Sequence, residues 1–125
     1  MNPVPITNIK KQLEKITEYW SPRVVATVNN QYVKVAKLKG QFVWHKHENE
    51  DELFMVVYGR LQIELENDDV IVLEEGEFCV IPKNTMHNPI ADEECGIVLI
   101  EPVSTLHTGD VNSPLTKTIE EQLRD

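Results

Sequence analysis

Residues 40–59 read GQFVWHKHENEDELFMVVYG, and this stretch carries the clearest structural signal in the chain. Residues two positions apart in a β-strand point to the same face of the sheet, so an extended segment here directs the imidazoles of His45 and His47 at one point. Glu52 opens the next apolar run, whose start lies near the two histidines if the chain folds back. Because imidazoles and carboxylates are good ligands for divalent transition metals, the stretch predicts a metal site.

Short β-rich runs separated by turn residues fill the chain from Arg23 to Glu101. The predicted strands are Arg23–Val28, Tyr32–Leu38, Phe42–His47, Glu52–Tyr58, Leu61–Leu65, Val70–Leu73, Phe78–Ile81, His87–Ile90 and Gly96–Glu101. The turn signals between them include Asn29-Asn30, Gly59, Gly76 and Asp92-Glu93. Closely spaced strands joined by tight turns predict an all-β antiparallel barrel or sandwich.

The two ends of the chain differ from this β-rich middle. Four apolar residues near the start have helical spacing, namely Ile9, Leu13, Ile16 and Trp20. This spacing predicts one N-terminal α-helix at about Asn8–Tyr19, which Ser21-Pro22 ends. The polar end of the chain is expected to wrap the barrel and to finish in a short helix near Thr118–Leu123. We therefore expect a helix-bearing segment over residues 1–22, a barrel over 23–101 and an extended C-terminal tail over 102–125.

Composition narrows the class of protein. With 125 residues and 14.4 kDa, the chain has the size of one domain with a substantial core. The 12 basic and 21 acidic residues give a net charge of −9, which disfavours binding to nucleic acid or to an anionic membrane. The start of the sequence has no secretory pattern, so a cytoplasmic location is expected. Cys79 and Cys95 lack CxxC spacing and are expected to be free thiols.

Strand alternation predicts which side chains surround the metal site. If His45 points inward, Gln41 and Val43 share its face, whereas Phe42 and Trp44 lie on the opposite face. In the following strand, the side chains that share the inner face are Glu52, Phe54, Val56 and Tyr58. The predicted pocket residues are therefore Gln41, Val43, Phe54, Val56 and Tyr58.

The same alternation leaves an apolar band on the outside of the barrel, formed by Leu53, Met55 and Val57. A band of this kind has to be covered by the N-terminal helix, a second sheet or another subunit. A homodimer is therefore expected.

Two spaced motifs resemble the conserved motifs of the cupins. The first is Gly40-x4-His45-x-His47-x4-Glu52-x6-Gly59, and the second is Gly76-x5-Pro82-x-Asn84-x2-His87. The resemblance covers roughly residues 23–101. It implies a double-stranded β-helix, or jelly-roll barrel, with one divalent ion held by three histidines and a glutamate. Carried over position by position, the implied metal ligands are His45, His47, Glu52 and His87.

The chain departs from the usual cupin pattern at three places. The spacer between Gly40 and His45 is one residue short, Asn84 stands where glycine is usual, and Ala91 stands where an asparagine is usual. Asparagine tolerates a left-handed turn better than other non-glycine residues, so the change at Asn84 is mild. None of these departures affects an implied ligand.

The resemblance leaves several functions open. Three imidazoles and one carboxylate suit Zn, Fe, Ni or Mn and would leave coordination positions for water, substrate or dioxygen. One hypothesis is a metal-dependent enzyme acting on a small molecule, either a dioxygenase or a sugar or carboxylate isomerase or lyase. The alternative is a non-catalytic module that binds or senses a small ligand. A phosphosugar isomerase is disfavoured because the sequence shows no inward-facing Lys or Arg for a phosphate.

The sequence does not identify a catalytic residue. Three residues are conceivable polar groups of the pocket, namely Gln41, Tyr58 and Cys79. His107 has no partner at metal-ligand spacing, so we expect it to face solvent.

Overall fold

A computed structural model describes residues 4–124, so residues 1–3 and 125 of the predicted terminal segments lie outside the described range. The elements are α1 (Ile9–Glu14), β1 (Arg23–Val28), β2 (Gln31–Gln41), β3 (Glu52–Tyr58), β4 (Leu61–Leu65), β5 (Val70–Leu73), β6 (Phe78–Ile81), β7 (His87–Pro102) and α2 (Ile119–Gln122). A 3₁₀ turn at Glu66–Asp68 joins β4 to β5. No helix within residues 4–124 is long and apolar enough to span a membrane.

The long strand β7 organises the sheet. It pairs with β2 over most of its length, while its first residues pair with β4 and its last residues pair with β3. Strands β5 and β6 extend the sheet beyond β4 and β3, respectively, and the pairings between these named strands are all antiparallel. The inner faces of the strands enclose one apolar core, which includes Phe54, Leu61, Ile63 and Ile97. The predicted antiparallel β-fold is thereby confirmed.

Two predicted strands prove to be parts of one. His87–Ile90 and Gly96–Glu101 both belong to β7, so the turn predicted at Asp92-Glu93 is wrong. Pairing with β2 continues on both sides of residues 92–94, which are exposed and bulge out where the register shifts between Leu38 and Gly40. The polar residues of this segment therefore mark a bulge rather than a strand end.

The predicted strand at Phe42–His47 is also wrong. The strand ends at Gln41, and over residues 42–47 it is replaced by an isolated bridge between His45 and His87 and by single backbone hydrogen bonds. Phe42 turns inward and stacks on Trp20, with ring centroids 4.6 Å apart. Strict alternation of side chains consequently fails over this segment.

The N-terminal helix is shorter than predicted but packs where it was expected to pack. The Asn8 side chain accepts a hydrogen bond from the Lys11 amide at 2.9 Å, which caps α1, and the helix ends at Glu14. Leu13 and Ile16 are buried in a second apolar cluster, against which Met55 and Val57 of β3 pack. The N-terminal segment is thus the cover for that part of the outer apolar band.

The C-terminal segment crosses back over the barrel. Leu115 packs against the main core, and the chain ends in α2, where Thr118 and Glu121 form a capping box. The short terminal helix is therefore confirmed. Cys79 and Cys95 are free thiols, as predicted.

Candidate metal centre

Four buried side chains converge at one end of the barrel. His45, His47, Glu52 and His87 each present one ligand atom, and these atoms all lie within 4.8 Å of one another. The four side chains belong to three different parts of the chain: the segment after β2, the start of β3 and the start of β7. The fold thus assembles the whole set of ligands that the cupin resemblance implies.

Backbone hydrogen bonds hold these segments together. The amide of His45 donates to the His87 carbonyl at 3.0 Å, and the amide of His87 donates back to the His45 carbonyl at 2.9 Å. The Asn84 amide donates to the His47 carbonyl at 2.7 Å. Asn84 has φ +61°, the left-handed conformation that asparagine tolerates, so the turn before His87 is preserved without glycine.

Two of the imidazoles are oriented by backbone carbonyls. The Nδ1 atom of His45 lies 2.8 Å from the Val43 carbonyl oxygen, and the Nδ1 atom of His87 lies 2.8 Å from the Thr85 carbonyl oxygen. Because a carbonyl oxygen only accepts hydrogen bonds, each Nδ1 carries the proton. The lone pair of each ring is therefore on Nε2, as in histidine ligands whose other nitrogen is held by a carbonyl.

Several ligand atoms of these side chains lack a hydrogen-bond partner among residues 4–124. The Nε2 atoms of His47 and His87 each lie 3.4 Å from Glu52 Oε1. Among residues 4–124, all three atoms are buried without a hydrogen bond, as is His47 Nδ1. Leaving a buried polar group unpaired costs about 1–3 kcal/mol. A divalent cation among these atoms would satisfy them, so the donor set fits a metal ion.

The protonation states also suit a cation. Burial, followed by the neighbouring His87, lowers the pKa of His45 to about 4, so its imidazole is neutral at pH 7. Burial opposes ionisation of Glu52, but His47 and His87 together hold the pKa of this carboxyl well below its ordinary value. A neutral imidazole and an ionised carboxylate are the forms that bind metals.

A small, mostly apolar cavity adjoins this centre and has a volume of about 30 Å³. Its wall is formed by Trp20, Pro22, Ala36, Leu38, Phe42, His45, Glu52, Phe54, Pro89, Ile97, Leu99 and His107. Phe42 packs edge-on against the His45 ring, with centroids 5.4 Å apart. A ligand in this cavity would therefore meet two of the four converging side chains inside an apolar enclosure.

Of the five pocket residues predicted by alternation, the structure places Phe54 in the cavity wall and the other four elsewhere. Phe54 lines the cavity, whereas Val56 is buried in the core and Val43 packs against it from a half-buried position. Gln41 is exposed, because the chain leaves the sheet directly after it. Tyr58 packs with the second apolar cluster, around Leu13 and Ile16, since the register of β3 against β7 shifts between Val56 and Tyr58. Its hydroxyl donates to Glu94 at 2.7 Å.

Cys79, the remaining conceivable polar group, packs beside the core in a half-buried position outside the cavity wall. Burial, followed by the charge of Glu52, raises the pKa of its thiol. The Cys79 side chain is therefore a neutral thiol at pH 7.

A buried polar network close to the centre was missed at the sequence level. The Lys34 ammonium group donates to Glu101 at 3.1 Å and to the side-chain oxygen of Gln122 in α2. Burial and the charge of Glu52 raise the pKa of Glu101 well above its ordinary value. The sequence did contain a signal for this network. Lys34 is two residues before Ala36 in a strand, so the two side chains lie on the same, inner face.

One lysine does face inward, although the sequence offered no Lys or Arg that could be assigned to a phosphate. Lys34 is only 2% exposed and lies inside the protein. Its ammonium group already has two partners, Glu101 and Gln122, so it is not free to hold a phosphate.

His107 was expected to face solvent, and this expectation is wrong. Its ring lines the cavity and lies 5.1 Å from the Phe42 ring, measured between centroids. The tail returns over the barrel and carries the side chain inward, so no local spacing in the sequence could reveal this position.

Comparison with known proteins agrees with this fold. A structure of a cupin-2 domain containing protein from Shewanella frigidimarina shares 43% identity and has a TM-score of 0.76, covering 78% of this chain and 94% of that one. The protein NMB1881 from Neisseria meningitidis shares 31% identity, with a TM-score of 0.73 and coverage of 78% and 99%, respectively.

The uncharacterized protein YdbB of Bacillus subtilis is 36% identical over 63 residues, which is 50% of this chain. The match spans 56% of the length of YdbB, or little more than half of that relative. The sequence profile of the Cupin domain family matches residues 31–101, which include all four converging side chains. Since this match covers more than half of the chain, the protein belongs to the cupin domain family.

Proposed function

We propose that the protein is a metal-dependent enzyme that acts on a small molecule at the His45, His47, Glu52 and His87 centre. The observation that supports this proposal is the set of buried atoms without partners, in which two imidazole nitrogens face a single carboxylate oxygen at 3.4 Å. Protons could satisfy these atoms only in part, whereas one divalent cation would satisfy the two Nε2 atoms and Glu52 Oε1 together.

Each ligand has a defined task in this proposal. Glu52 supplies the negative charge, and the histidines supply neutral nitrogen ligands. Two backbone carbonyls fix the orientation of the His45 and His87 rings. A bound divalent ion would provide Lewis acidity, or oxygen activation if it is iron. Phe42 and Phe54 make the wall beside the centre apolar, which would strengthen electrostatic interactions there.

The identity of the metal separates the enzyme classes. Iron would favour a dioxygenase, whereas zinc, nickel or manganese would favour an isomerase or lyase acting on a sugar or a carboxylate. The alternative is a non-catalytic cupin that binds or senses a small ligand. The cavity of about 30 Å³ has room for roughly two water molecules, so it could hold a very small ligand. This size is compatible with the alternative.

Metal content and thermal stability test the proposal together. We expect the purified protein to bind about one divalent ion per chain, by the ligand count. Glu52→Gln, which keeps the shape of the side chain but removes its charge, and His47→Ala should both lose most of this metal. Added metal should raise the melting temperature of the wild type but not of His47→Ala, because binding stabilises only a native state that contains the site.

Asn49→Ala is the matched control, since Asn49 is exposed in the same loop and lies outside the ligand set. It should retain the stoichiometry and the melting temperature of the wild type. Metal content that is unchanged in His47→Ala would contradict the proposal. If the variants do lose the metal, oxygen uptake by the iron-loaded wild type would separate a dioxygenase from the other enzyme classes.

We also propose that the protein forms a homodimer through the outer face of β3 and β6. Phe78 is 62% exposed and Val80 is 49% exposed on β6. They pair with Met55 and Leu53 of β3, respectively, so these apolar side chains share one face. Helix α1 covers the Met55 end of the face but leaves Phe78 and Val80 exposed.

A further inference from the structure

The cavity beside the metal centre contains three polar side chains, His45, Glu52 and His107, among otherwise apolar walls. His45 and Glu52 belong to the group of converging metal ligands. His107 is the polar side chain of the wall that does not belong to this group. In small-molecule sites, a few polar groups placed in an apolar pocket set the orientation of the ligand. His107 also lies outside residues 31–101, the part that matches the family profile.

The hydrogen bonds of His107 define which ring nitrogen is a donor. The Lys117 amide donates to His107 Nδ1 at 2.8 Å, so Nδ1 carries no proton. Burial, followed by the nearby Lys34 ammonium group, lowers the pKa of His107 to about 4, which keeps the ring neutral at pH 7. A neutral ring with an unprotonated Nδ1 carries its proton on Nε2. The hydrogen bonds among residues 4–124 include no partner for this N–H group.

The tail around His107 is firmly held. The Thr108 hydroxyl donates to the Val111 carbonyl at 2.6 Å and lies 2.7 Å from the Thr116 hydroxyl. Gly109 packs so closely against the Lys46 backbone that a Cβ atom there would lie 2.2 Å from the Lys46 carbonyl oxygen. The His107 ring is thus presented to the cavity by a fixed backbone and has little orientational freedom to lose when a ligand binds.

We propose that His107 is a positioning residue, whose Nε2–H donates a hydrogen bond to an oxygen atom of a small carboxylate bound at the metal centre. This inference rests on the proposed function, because the metal holds the same ligand. The size of the cavity limits the part of the ligand that enters to about the volume of a carboxylate group. Carboxylate is favoured because a neutral N–H donor and a cationic metal site both prefer anionic oxygen.

Formate titration of the Co(II)-loaded protein, followed by the visible spectrum of the metal, tests the proposal. His107→Phe keeps an aromatic ring beside Phe42 but removes the donor, and it should bind formate on the order of 10-fold more weakly. His107→Gln retains an N–H group and should recover part of the affinity. Leu106→Ala is the control, since Leu106 is exposed in the same tail, and it should bind formate like the wild type.

Affinity for Co(II) should be the same in all four proteins. If the wild type fails to bind Co(II), the proposed function is overturned and this inference with it. If Co(II) binds but the wild type shows no formate response, or His107→Phe binds formate as tightly as the wild type, only the role of His107 is overturned. ¹⁵N NMR of the histidine side chains gives a second test, and an Nδ1–H tautomer at His107 would contradict the proposal.

Discussion

At the scale of single residues, the buried Lys34 is the least expected feature of this protein. Lysine is rarely found fully buried unless it is paired, and here Glu101 and Gln122 receive its hydrogen bonds. The Lys34 ammonium group also lies 5.5 Å from the centre of the Tyr32 ring. The residue ties the inner face of β2 to β7 and to the C-terminal helix, and it does so close to Glu52.

We predict that Lys34→Met destabilises the protein by about 3–5 kcal/mol, because it leaves buried polar oxygens without their donor. Methionine keeps most of the length of the side chain, so the effect reports the loss of the polar interactions. The free energy of unfolding in urea is the measurement. Lys39→Met, an exposed position on the same strand, is the control and should change stability by less than about 0.5 kcal/mol. Equal urea midpoints for Lys34→Met and the wild type would rule out a stabilising role for the network.

At the scale of elements, the C-terminal tail depends on its close contact with the segment that carries the metal ligands. Gly109 has φ +59°, and its neighbour across the contact is the backbone of Lys46, which lies between His45 and His47. The backbone of the tail thus contacts the segment that carries His45 and His47, and the tail places His107 at the cavity. Any side chain at position 109 would force the two segments apart.

We predict that Gly109→Ala weakens the docking of the tail. The positive φ alone costs an alanine about 1–2 kcal/mol, and the clash with the Lys46 carbonyl adds to this. Trypsin should cleave the variant after Lys117 faster than it cleaves the wild type, since a loosened tail exposes this half-buried residue.

Gly76→Ala is the matched control for the contact. Gly76 has φ +84°, but an added Cβ would meet nothing within 4 Å, so this variant has the backbone strain without the clash. Tail cleavage in Gly76→Ala should match that in the wild type. If the two variants behave alike, the contact with Lys46 has no special importance.

At the scale of the whole molecule, the uncovered face of β3 and β6 bears on assembly. Helix α1 covers one part of this face, while Phe78 and Val80 are exposed on an edge strand. The net charge of −9 opposes association in general, so a stable dimer requires apolar contacts of this kind. The cytoplasmic location expected from the sequence stays a prediction.

We predict a particle of twice the 14.4 kDa chain mass in light scattering coupled to size-exclusion chromatography. Phe78→Glu should yield a monomer, because it places a charge in the proposed interface. Val28→Glu is the control, since Val28 is 59% exposed on β1 against 62% for Phe78, and it should leave the dimer intact. A monomeric wild type, or a Phe78→Glu variant that is still dimeric, would refute this interface.

The sequence by itself indicated the β-architecture, through strand alternation and turn residues that are local in the chain. It also indicated the four candidate ligands, through two spaced motifs that resemble those of the cupins. Strand alternation and turns can be predicted from the sequence because they depend on local backbone geometry. Asn84 is an example, since it makes a left-handed turn without glycine.

Only the tertiary structure decided what surrounds those ligands. Phe42 points inward because the chain leaves the sheet at Gln41, and Tyr58 is on the outside because β3 shifts register against β7. His107 reaches the cavity because the tail folds back across the barrel. These positions depend on bulges and on contacts between segments distant in sequence, and no local periodicity encodes them.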